Sequence, residues 1–542
     1  MKKIQGYLWP TLLALAVAIG VFIGGKLHFV DSPEKLFMAN SKKDKLNRLI
    51  DYIDQEYVDE VNTDSIVDVT VNNILGKLDP HSVYISKSEM EAVSENMKGD
   101  FAGIGVSFYR VRDTITVIRS IKNGPSHLQG IKPGDRILMA DKDTLYGQGI
   151  SNAGVVSTLK GKVGTKVDLK IYRKTRDSVF HVTVRRDMIP IRSVEGYYML
   201  TPEMGFIKIN RFAESTFGEF KDALNKLKLR GAKKLVLDLR DNPGGYLGIA
   251  EKLADEFLVE DKLILFTKNK DGKIKKAFAT GKGDFENRPI YVLINERSAS
   301  ASEIIAGALQ DNDVGTIVGR RSFGKGLVQR EMDLGDGSAV RLTVSRYYTP
   351  TGRSIQRSYK NGRRDYYNRY MERYANGELS SPDSIEVSDS LRFVTPKGKV
   401  VYGGGGIIPD VFVPIGNNEE EAIESMDGSF EFFNRFVFDH LEEDRTRYQG
   451  YTQGDFMENF RVDDILFDDF IQFVLDRKIR LDFYDQEERI KAYIKANIAE
   501  QLFSPNLSAM IKGRYDPMLA KVKELDSLAM EPIRLGALGP KY

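Results

Sequence analysis

The chain has 542 residues, 42% of them hydrophobic, and its 79 basic and 77 acidic residues leave a formal net charge of +2. This balance gives no electrostatic reason to expect nucleic acid as a partner, and the length predicts about three or four domains. The absence of cysteine excludes a thiol nucleophile, a cysteine-ligated zinc site and disulfides, and only five histidines are present to serve a histidine-based triad.

The N-terminus combines a positive start with an apolar run. Lys2 and Lys3 precede 18 uncharged residues at 8–25, a length near the lower limit for a membrane-spanning helix. No clear small-residue cleavage pattern follows, so the sequence favours an uncleaved anchor over 1–30 with the lysines on the cytoplasmic side. A cleaved signal peptide is the alternative. Both predict a cell-envelope protein, either anchored in a bacterial inner membrane with its main body in the periplasm or exported.

Residues 31–97 are predicted to form an N-terminal helical region, because apolar residues recur at helical spacing within 41–97. The region contains the motif Leu78-Asp-Pro-His-Ser-Val-Tyr84, in which Pro80 is a helix stop. His81 is the one histidine of the chain that lies in a plausible functional motif.

Residues 98–187 change to short alternating strands separated by glycine turns. Phe101–Phe108 predicts a glycine-bearing loop that runs into a strand, Lys132-Pro-Gly-Asp135 precedes an apolar strand, and a helix is expected near 151–160. This order of elements resembles a PDZ domain.

A PDZ-like module would bind a protein tail by strand addition. The backbone amides of Ile104, Gly105 and Val106 are candidates for holding a free C-terminal carboxylate, while the incoming tail pairs with the strand that begins at Val106. The helix near 151–160 would then form the other wall of the groove. A small β-domain used only for packing is the alternative.

Residues 188–416 alternate strands with helices, which predicts an α/β core with functional loops at the strand ends. Within this core, residues 357–402 are polar and are interpreted as an insertion. Residues 417–542 are acidic and patterned as helices. This C-terminal region is interpreted as a dimerisation module or a lid, so a homodimer is one expectation.

The candidate reactive residues follow a buried-type strand of the core. Ser300 lies at the start of a helix, and a hydroxyl is a poor nucleophile unless a nearby base takes its proton. Lys325, flanked by Gly324 and Gly326, is able to act as that base when burial lowers its pKa, and serine–lysine pairs are a known variant of the catalytic triad. Gln329, four residues further on, is placed to orient the lysine amine.

A glycine turn, Asn242-Pro-Gly-Gly245, supplies backbone amides near the same site. The amides of Gly245 and Ala301 are candidates for an oxyanion hole. Both motifs also have structural alternatives, because the turn fits an ordinary helix start and Ser300 with Glu303 fits a capping box.

A phosphate-binding loop is rejected. Gly319-Arg-Arg-Ser-Phe-Gly-Lys325 matches the start of a P-loop, but Gly326 stands where a serine or threonine has to hold magnesium. Residues 327–334 also have the pattern of a strand rather than of the helix whose N-terminus would cradle phosphate. Asp311, at the end of the helix that begins near Ala301, is interpreted as structural.

Taken in order, these motifs resemble the carboxyl-terminal processing (tail-specific) serine peptidases, a family with a PDZ domain. The resemblance spans roughly residues 42–356, resumes at 403–414, and is carried by the PDZ-like module together with Leu78–Tyr84, Asp238–Gly245, Ser298–Glu303, Gly324–Gly326, Gln329 and Tyr348–Gly352. It implies that Ser300 is the nucleophile and Lys325 the general base, with Gln329 beside it. It also implies a PDZ groove that recruits substrate C-termini, and no metal or cofactor.

The sequence therefore predicts a multidomain α/β protein with an N-terminal membrane anchor, a helical segment, a PDZ-like β-rich domain, an α/β serine-peptidase core and a helical C-terminal extension. Its predicted activity is that of an endopeptidase that cleaves proteins near their C-termini. A non-catalytic adaptor that binds C-termini is the alternative. The joint presence of Ser300, Lys325 and Gln329 argues against the adaptor, which needs none of them.

Overall fold

The computed structural model describes residues 14–19, 41–111, 113–147, 149–416, 432–478 and 486–530. The chain divides into two compact units, residues 1–77 and 78–542. The described residues of the first unit include helices α1 (Ser41–Glu56) and α2 (Thr63–Gly76). Helix α2 begins after Asn62, whose side chain accepts a hydrogen bond from the Ser65 N–H at 2.9 Å, as expected of an N-cap.

Most of the predicted membrane segment at 1–30 lies outside the described residues, although residues 14–19 are helical. Across the part of the chain that the structure describes, no helix is both long and apolar enough to cross a membrane. The anchor therefore stays a prediction from the sequence, without support from the structure.

The second unit begins with a strand, a helix and a β-rich module. The elements in chain order are β1 (Val83–Ile85), α3 (Lys87–Lys98), β2 (Asp100–Gly103), β3 (Val106–Val111), β4 (Thr114–Ser120), α4 (Pro125–Leu128), β5 (Asp135–Ala140), β6 (Asp143–Thr144), α5 (Asn152–Leu159), β7 (Lys166–Arg173), β8 (Ser178–Arg185) and β9 (Asp187–Pro190). The main sheet has the order β3-β4-β5-β7-β8, so β3 is an outer strand. Residues 101–103 were expected in a loop, but they belong to β2 because this segment pairs with the distant β9.

The core contains a mostly parallel sheet flanked by helices. Its elements are β10 (Val194–Met199), β11 (Met204–Ile209), α6 (Thr216–Leu229), β12 (Lys234–Asp238), α7 (Leu247–Asp255), β15 (Ile290–Ile294), α8 (Ala301–Asp311), β16 (Gly315–Gly319) and β21 (Val411–Phe412). The strand order is β10-β11-β12-β15-β16-β21, parallel from β11 onwards. Strands covered on both faces read as continuous apolar runs, and Leu235, Val236 and Leu237 of β12 are fully buried.

A second sheet lies beside the parallel one. It has the order β1-β18-β13-β14, with β17 paired to β18, and is built from β13 (Leu263–Asn269), β14 (Ile274–Phe278), β17 (Leu327–Asp333) and β18 (Ala339–Tyr348). Because β1 pairs with β18 through Val83 and Arg341, the Leu78–Tyr84 motif is held against the β17–β18 hairpin. The polar insertion at 357–402 contains helix α9 (Arg363–Ala375) and the hairpin β19 (Arg392–Val394) and β20 (Val400–Tyr402).

The described C-terminal region is helical, as predicted, and packs within its own chain. Its helices are α10 (Phe433–Glu443), α11 (Gln453–Asn459), α12 (Asp464–Leu475), α13 (Glu487–Leu502), α14 (Pro505–Lys512) and α15 (Pro517–Met530). One end packs on the β-rich module, where Phe438 joins a cluster with Val111 and Ile118. The other end packs on the parallel sheet, where Met518 and Leu519 of α15 lie in a cluster with strand residues.

We expect Asp311 to be essential for stability rather than for reactivity. Its carboxylate lies 2.7 Å from the Arg353 guanidinium, and both side chains are completely buried. Asp311→Ala leaves a buried cation without its partner, which should lower the free energy of unfolding by about 3–5 kcal/mol in chemical denaturation. Glu524→Ala, which breaks the solvent-exposed pair with Lys521, is the control and should change stability little. Equal losses in the two variants would contradict this assignment.

Candidate active site

Two neighbouring parallel strands, β12 and β15, end at the same edge of the sheet, and their loops are fastened together there. The Ser298 hydroxyl donates to the Leu239 carbonyl at 2.8 Å, and the Ser302 hydroxyl donates to the Asn242 carbonyl at 3.0 Å. Both of these serines are fully buried. They join the serine segment to the glycine turn, which leaves Ser300 as the partly exposed hydroxyl of the three.

Ser300 has an unusual backbone conformation. Its φ is 54° and its ψ is −108°, whereas an N-cap residue normally lies in the extended region. A non-glycine residue in such a conformation is strained and persists only where its surroundings enforce it. A strained turn between a strand and a helix is also the geometry that exposes a nucleophilic serine in other hydrolases. The conformation therefore favours a reactive role over a purely structural cap.

Glu303 connects the serine segment to the lysine segment. Its fully buried carboxylate accepts from the backbone N–H groups of Ser300 at 2.8 Å and Lys325 at 2.9 Å, and also from the Gly324 N–H and the Ser322 hydroxyl. Burial raises the pKa of Glu303, and the hydrogen bonds oppose that rise. Glu303, which the sequence suggested only as a capping partner of Ser300, thus binds the backbones of both candidate reactive residues.

The Lys325 amine lies in a largely buried position. Its Nζ donates to Gln329 Oε1 at 2.8 Å, so the predicted lysine–glutamine contact is present. Burial is the main cause that lowers the pKa of Lys325, and the positive charge of Arg341 adds to it, while Glu303 and Asp79 act in the opposite direction. Among the described residues, no hydrogen bond joins this amine to the Ser300 hydroxyl.

The orientation of Gln329 is set by the Leu78–Tyr84 motif, a link that sequence reasoning did not find. Gln329 Nε2 donates to the His81 carbonyl, which turns its Oε1 towards the lysine. The backbone of this motif is itself fixed by the buried Asp79 carboxylate, which accepts from the N–H groups of His81 and Ser82, both at 2.8 Å.

His81 itself is held as a neutral ring. Its Nε2 lies 2.9 Å from the Tyr366 hydroxyl, and the two rings meet edge-on. Burial, followed by the charge of Lys325, lowers the pKa of His81 to about 4. The imidazole therefore adds no positive charge beside the lysine at neutral pH.

The glycine turn packs directly on the start of α8. A side chain at Gly244 would come within 2.8 Å of the Ser300 Cβ. The Phe212 N–H donates to the Gly244 carbonyl, and the Phe212 carbonyl accepts from the Tyr246 N–H. Phe212 thus bonds to the residues on either side of Gly245, and the Gly245 N–H points away from Phe212. Within the described part of the chain, the N–H groups of Gly245 and Ala301 donate to no partner. Both are thus available to an oxyanion.

The candidate tail-binding residues lie in the β-rich module, away from these contacts. Ile104 is buried in the core of the module, and Gly105 has a φ of 72°. Among the described residues, the N–H groups of Ile104 and Gly105 donate to no partner, while Val106 begins the outer strand β3. No hydrogen bond of the described residues joins this loop to the segment of Ser300.

Comparison with known families gives three matches. The model of peptidase family S41 matches residues 203–361, and the model of a PDZ domain matches residues 102–184. A family of unknown function matches residues 430–504 in the C-terminal region.

Individual proteins are also similar to this chain over more than half of its length. A carboxy-terminal-processing protease of Bartonella bacilliformis is 36% identical over 306 residues, which cover 56% of this chain and 69% of that protein. The carboxy-terminal processing protease CtpA of Bacillus subtilis is 32% identical over 344 residues, or 63% and 72% of the two chains. Among solved structures, the photosystem II D1 C-terminal processing protease has a TM-score of 0.36 at 24% identity, over 68% of this chain and 86% of that chain.

Gly244→Ala should disable the serine without unfolding the core. The backbone there has a φ of 101°, and a Cβ would be forced against Ser300 and Ala299. A displacement of about 1 Å can cost roughly a hundredfold in rate, so we expect Ser300 to react about a hundredfold more slowly with a fluorophosphonate reagent. Gly248→Ala, where a Cβ meets nothing within 4 Å, is the matched control. Labelling of the two variants at one rate would show that the close approach at Gly244 is unimportant.

Proposed function

The chain belongs to peptidase family S41, the family of the carboxy-terminal processing serine proteases with a PDZ domain, and on that premise we propose that it uses Ser300 and Lys325 as a catalytic dyad. The observation that carries this proposal is the Glu303 carboxylate, which holds the backbones of both residues. The lysine amine is also largely buried and bonded to Gln329, a neutral acceptor. These are the conditions under which a lysine can act as a base.

The proposed reaction is acyl transfer to the serine followed by hydrolysis. The Ser300 hydroxyl attacks the scissile carbonyl while its proton passes to the neutral amine of Lys325. The Gly245 and Ala301 amides donate to the oxyanion of the tetrahedral intermediate. The intermediate collapses with cleavage of the C–N bond, and the leaving amine takes the proton from Lys325. Water then attacks the acyl-enzyme, and the acid product leaves while Ser300 recovers its proton.

The proposed substrate is a protein with a free C-terminus. The N–H groups of Ile104 and Gly105, which have no partner among the described residues, are suited to a terminal carboxylate. The outer strand β3 is suited to pairing with an extended tail. A tail held there would present an upstream peptide bond of the same polypeptide to Ser300. Binding and cleavage thus involve different parts of one substrate.

The proposal also includes a location in the cell envelope. It is supported by the uncharged run at 8–25 and the lysines before it, which are features of the sequence alone. A homodimer through the C-terminal region likewise remains a prediction, although described helices of this region already pack on their own chain.

Loss of either dyad member should abolish cleavage. We expect residues 31–542 to cleave an unstructured protein that ends in a free apolar residue, and Ser300→Ala and Lys325→Ala to cleave it at least about a thousandfold more slowly, as followed by mass spectrometry of the products. Ser527→Ala, which removes an exposed serine hydroxyl of helix α15, is the matched control and should retain activity. Binding of the tail without cleavage by the parent protein would favour an adaptor, and cleavage surviving in both dyad variants would exclude this site.

The rate should rise with pH as Lys325 loses its proton. Because the pKa of Lys325 is lowered, kcat/KM should reach its plateau at a lower pH than that at which an exposed lysine titrates. Arg341→Gln removes a positive charge that lowers this pKa, so the neutral fraction at a given pH falls and the profile should move to higher pH. Arg330→Gln, an exposed arginine on the neighbouring strand, is the control and should leave the profile in place. A profile that is flat through the titration of the lysine would exclude it as the base.

A further inference from the structure

Helix α10 of the C-terminal region is anchored beside one end of strand β3. Phe438 is fully buried in a cluster with Val111 and Ile118. Glu442, one turn further along, lies 2.7 Å from the Arg136 guanidinium of β5, and both side chains of this ion pair are largely buried. An apolar contact and a largely buried ion pair therefore fix α10 against the sheet that contains β3 and β5.

The free edge of β3 has a defined direction. Among the described strands, β3 pairs with β4 alone, and the Gly105 carbonyl accepts from the Ile121 N–H on that side at 2.9 Å. Backbone groups of an antiparallel strand alternate between its two edges. Val106, Phe108 and Arg110 therefore direct their N–H and C=O groups to the open edge.

At Arg110 this edge is already occupied by α10. The Arg435 guanidinium donates to the Arg110 carbonyl at 3.3 Å, and Asp439, 2.9 Å from Arg435, holds it in place. The Arg110 guanidinium in turn donates to the carbonyls of Gly147 and Ile150 at 2.6 Å each. Arg110 thus joins β3, the loop before α5 and the C-terminal region at one point.

We infer that α10 forms the closed end of the tail-binding groove, with Arg435 as the residue that limits how many tail residues pair with β3. An antiparallel tail places every second residue opposite an outward residue of β3. With the last residue opposite Val106, the third from last lies opposite Phe108. The fifth from last then meets Arg110, whose carbonyl is taken by Arg435. About four C-terminal residues pair with the sheet, and the polypeptide upstream of them turns away.

The occupant is an extended protein tail with a free carboxylate and an apolar last side chain. The loop at the start of β3 offers the unpaired N–H groups of Ile104 and Gly105, and the core beneath it is apolar, with Ile104, Val155 and Leu159 in one buried cluster. The inference rests on the proposed recruitment of tails by this groove. It assigns to α10 a role in that recruitment.

The test is the dependence of affinity on tail length, measured by isothermal titration calorimetry with the full chain carrying Ser300→Ala. N-acetylated peptides of four, six and eight residues share their last four residues, and an amidated eight-residue peptide shows whether the free carboxylate is needed. We expect the three free-carboxylate peptides to bind within about twofold of one another. In Arg435→Ala, the longer two should bind about three- to tenfold more tightly than the shortest, because the released Arg110 carbonyl gains a backbone partner.

Two further variants keep the outcome interpretable. Arg435→Met keeps an unbranched side chain without its donors and should behave like Arg435→Ala. Arg447→Ala removes an arginine of the same region that pairs with Asp463, and it should keep the flat dependence of the parent. A steady gain of affinity with length in the parent, or a flat dependence in both Arg435 variants, would overturn the closed groove while tail recruitment stands. Failure of every free-carboxylate peptide to bind would remove tail recruitment and this inference together.

Discussion

One buried carboxylate determines where the candidate serine and the candidate lysine lie. Glu303 has no exposed surface, and a carboxylate in that position is costly unless its lone pairs are satisfied. The four donors that satisfy it come from the start of α8 and from the loop that carries Lys325. Both segments have to close around this group for the core to be stable. The strained backbone of Ser300 and the burial of the lysine amine therefore depend on the same contact.

The hydrogen-bond partner of the lysine amine is polar but uncharged. Gln329 accepts from it as a neutral amide, so the amine is oriented without an ion pair that would stabilise its protonated form. His81, whose pKa is lowered to about 4, is neutral as well. The largest influence that raises the pKa of Lys325 is the Glu303 carboxylate, which bonds to the Lys325 backbone and not to the side chain. The orientation of the Lys325 amine and its protonation are thereby set by different groups.

Local patterns were sufficient to predict some parts of this structure and not others. The helix expected near 151–160 is present as Asn152–Leu159, and the strand after Lys325 is present as β17, because apolar spacing and turn residues determine such elements. The strand β2 was missed, since it exists only through its pairing with β9. The part played by Asp79 and His81 was missed for the same reason, and so was the docking of the C-terminal helices on two separate modules. Contacts between distant segments produce no periodic residue pattern that could be recognised in a single sequence.

The contact between Gln329 and the His81 carbonyl spans 248 residues of the chain, which has a consequence for the time at which the protein becomes reactive. Ser300 and Lys325 are close in sequence and are synthesised almost together. The His81 carbonyl that orients Gln329, however, comes into place only when β1 has paired with the β17–β18 hairpin. Long-range strand pairing is slow compared with local structure. Until the fold closes around Lys325, its amine lacks the burial that lowers its pKa, so we expect a chain that is still folding to be inactive.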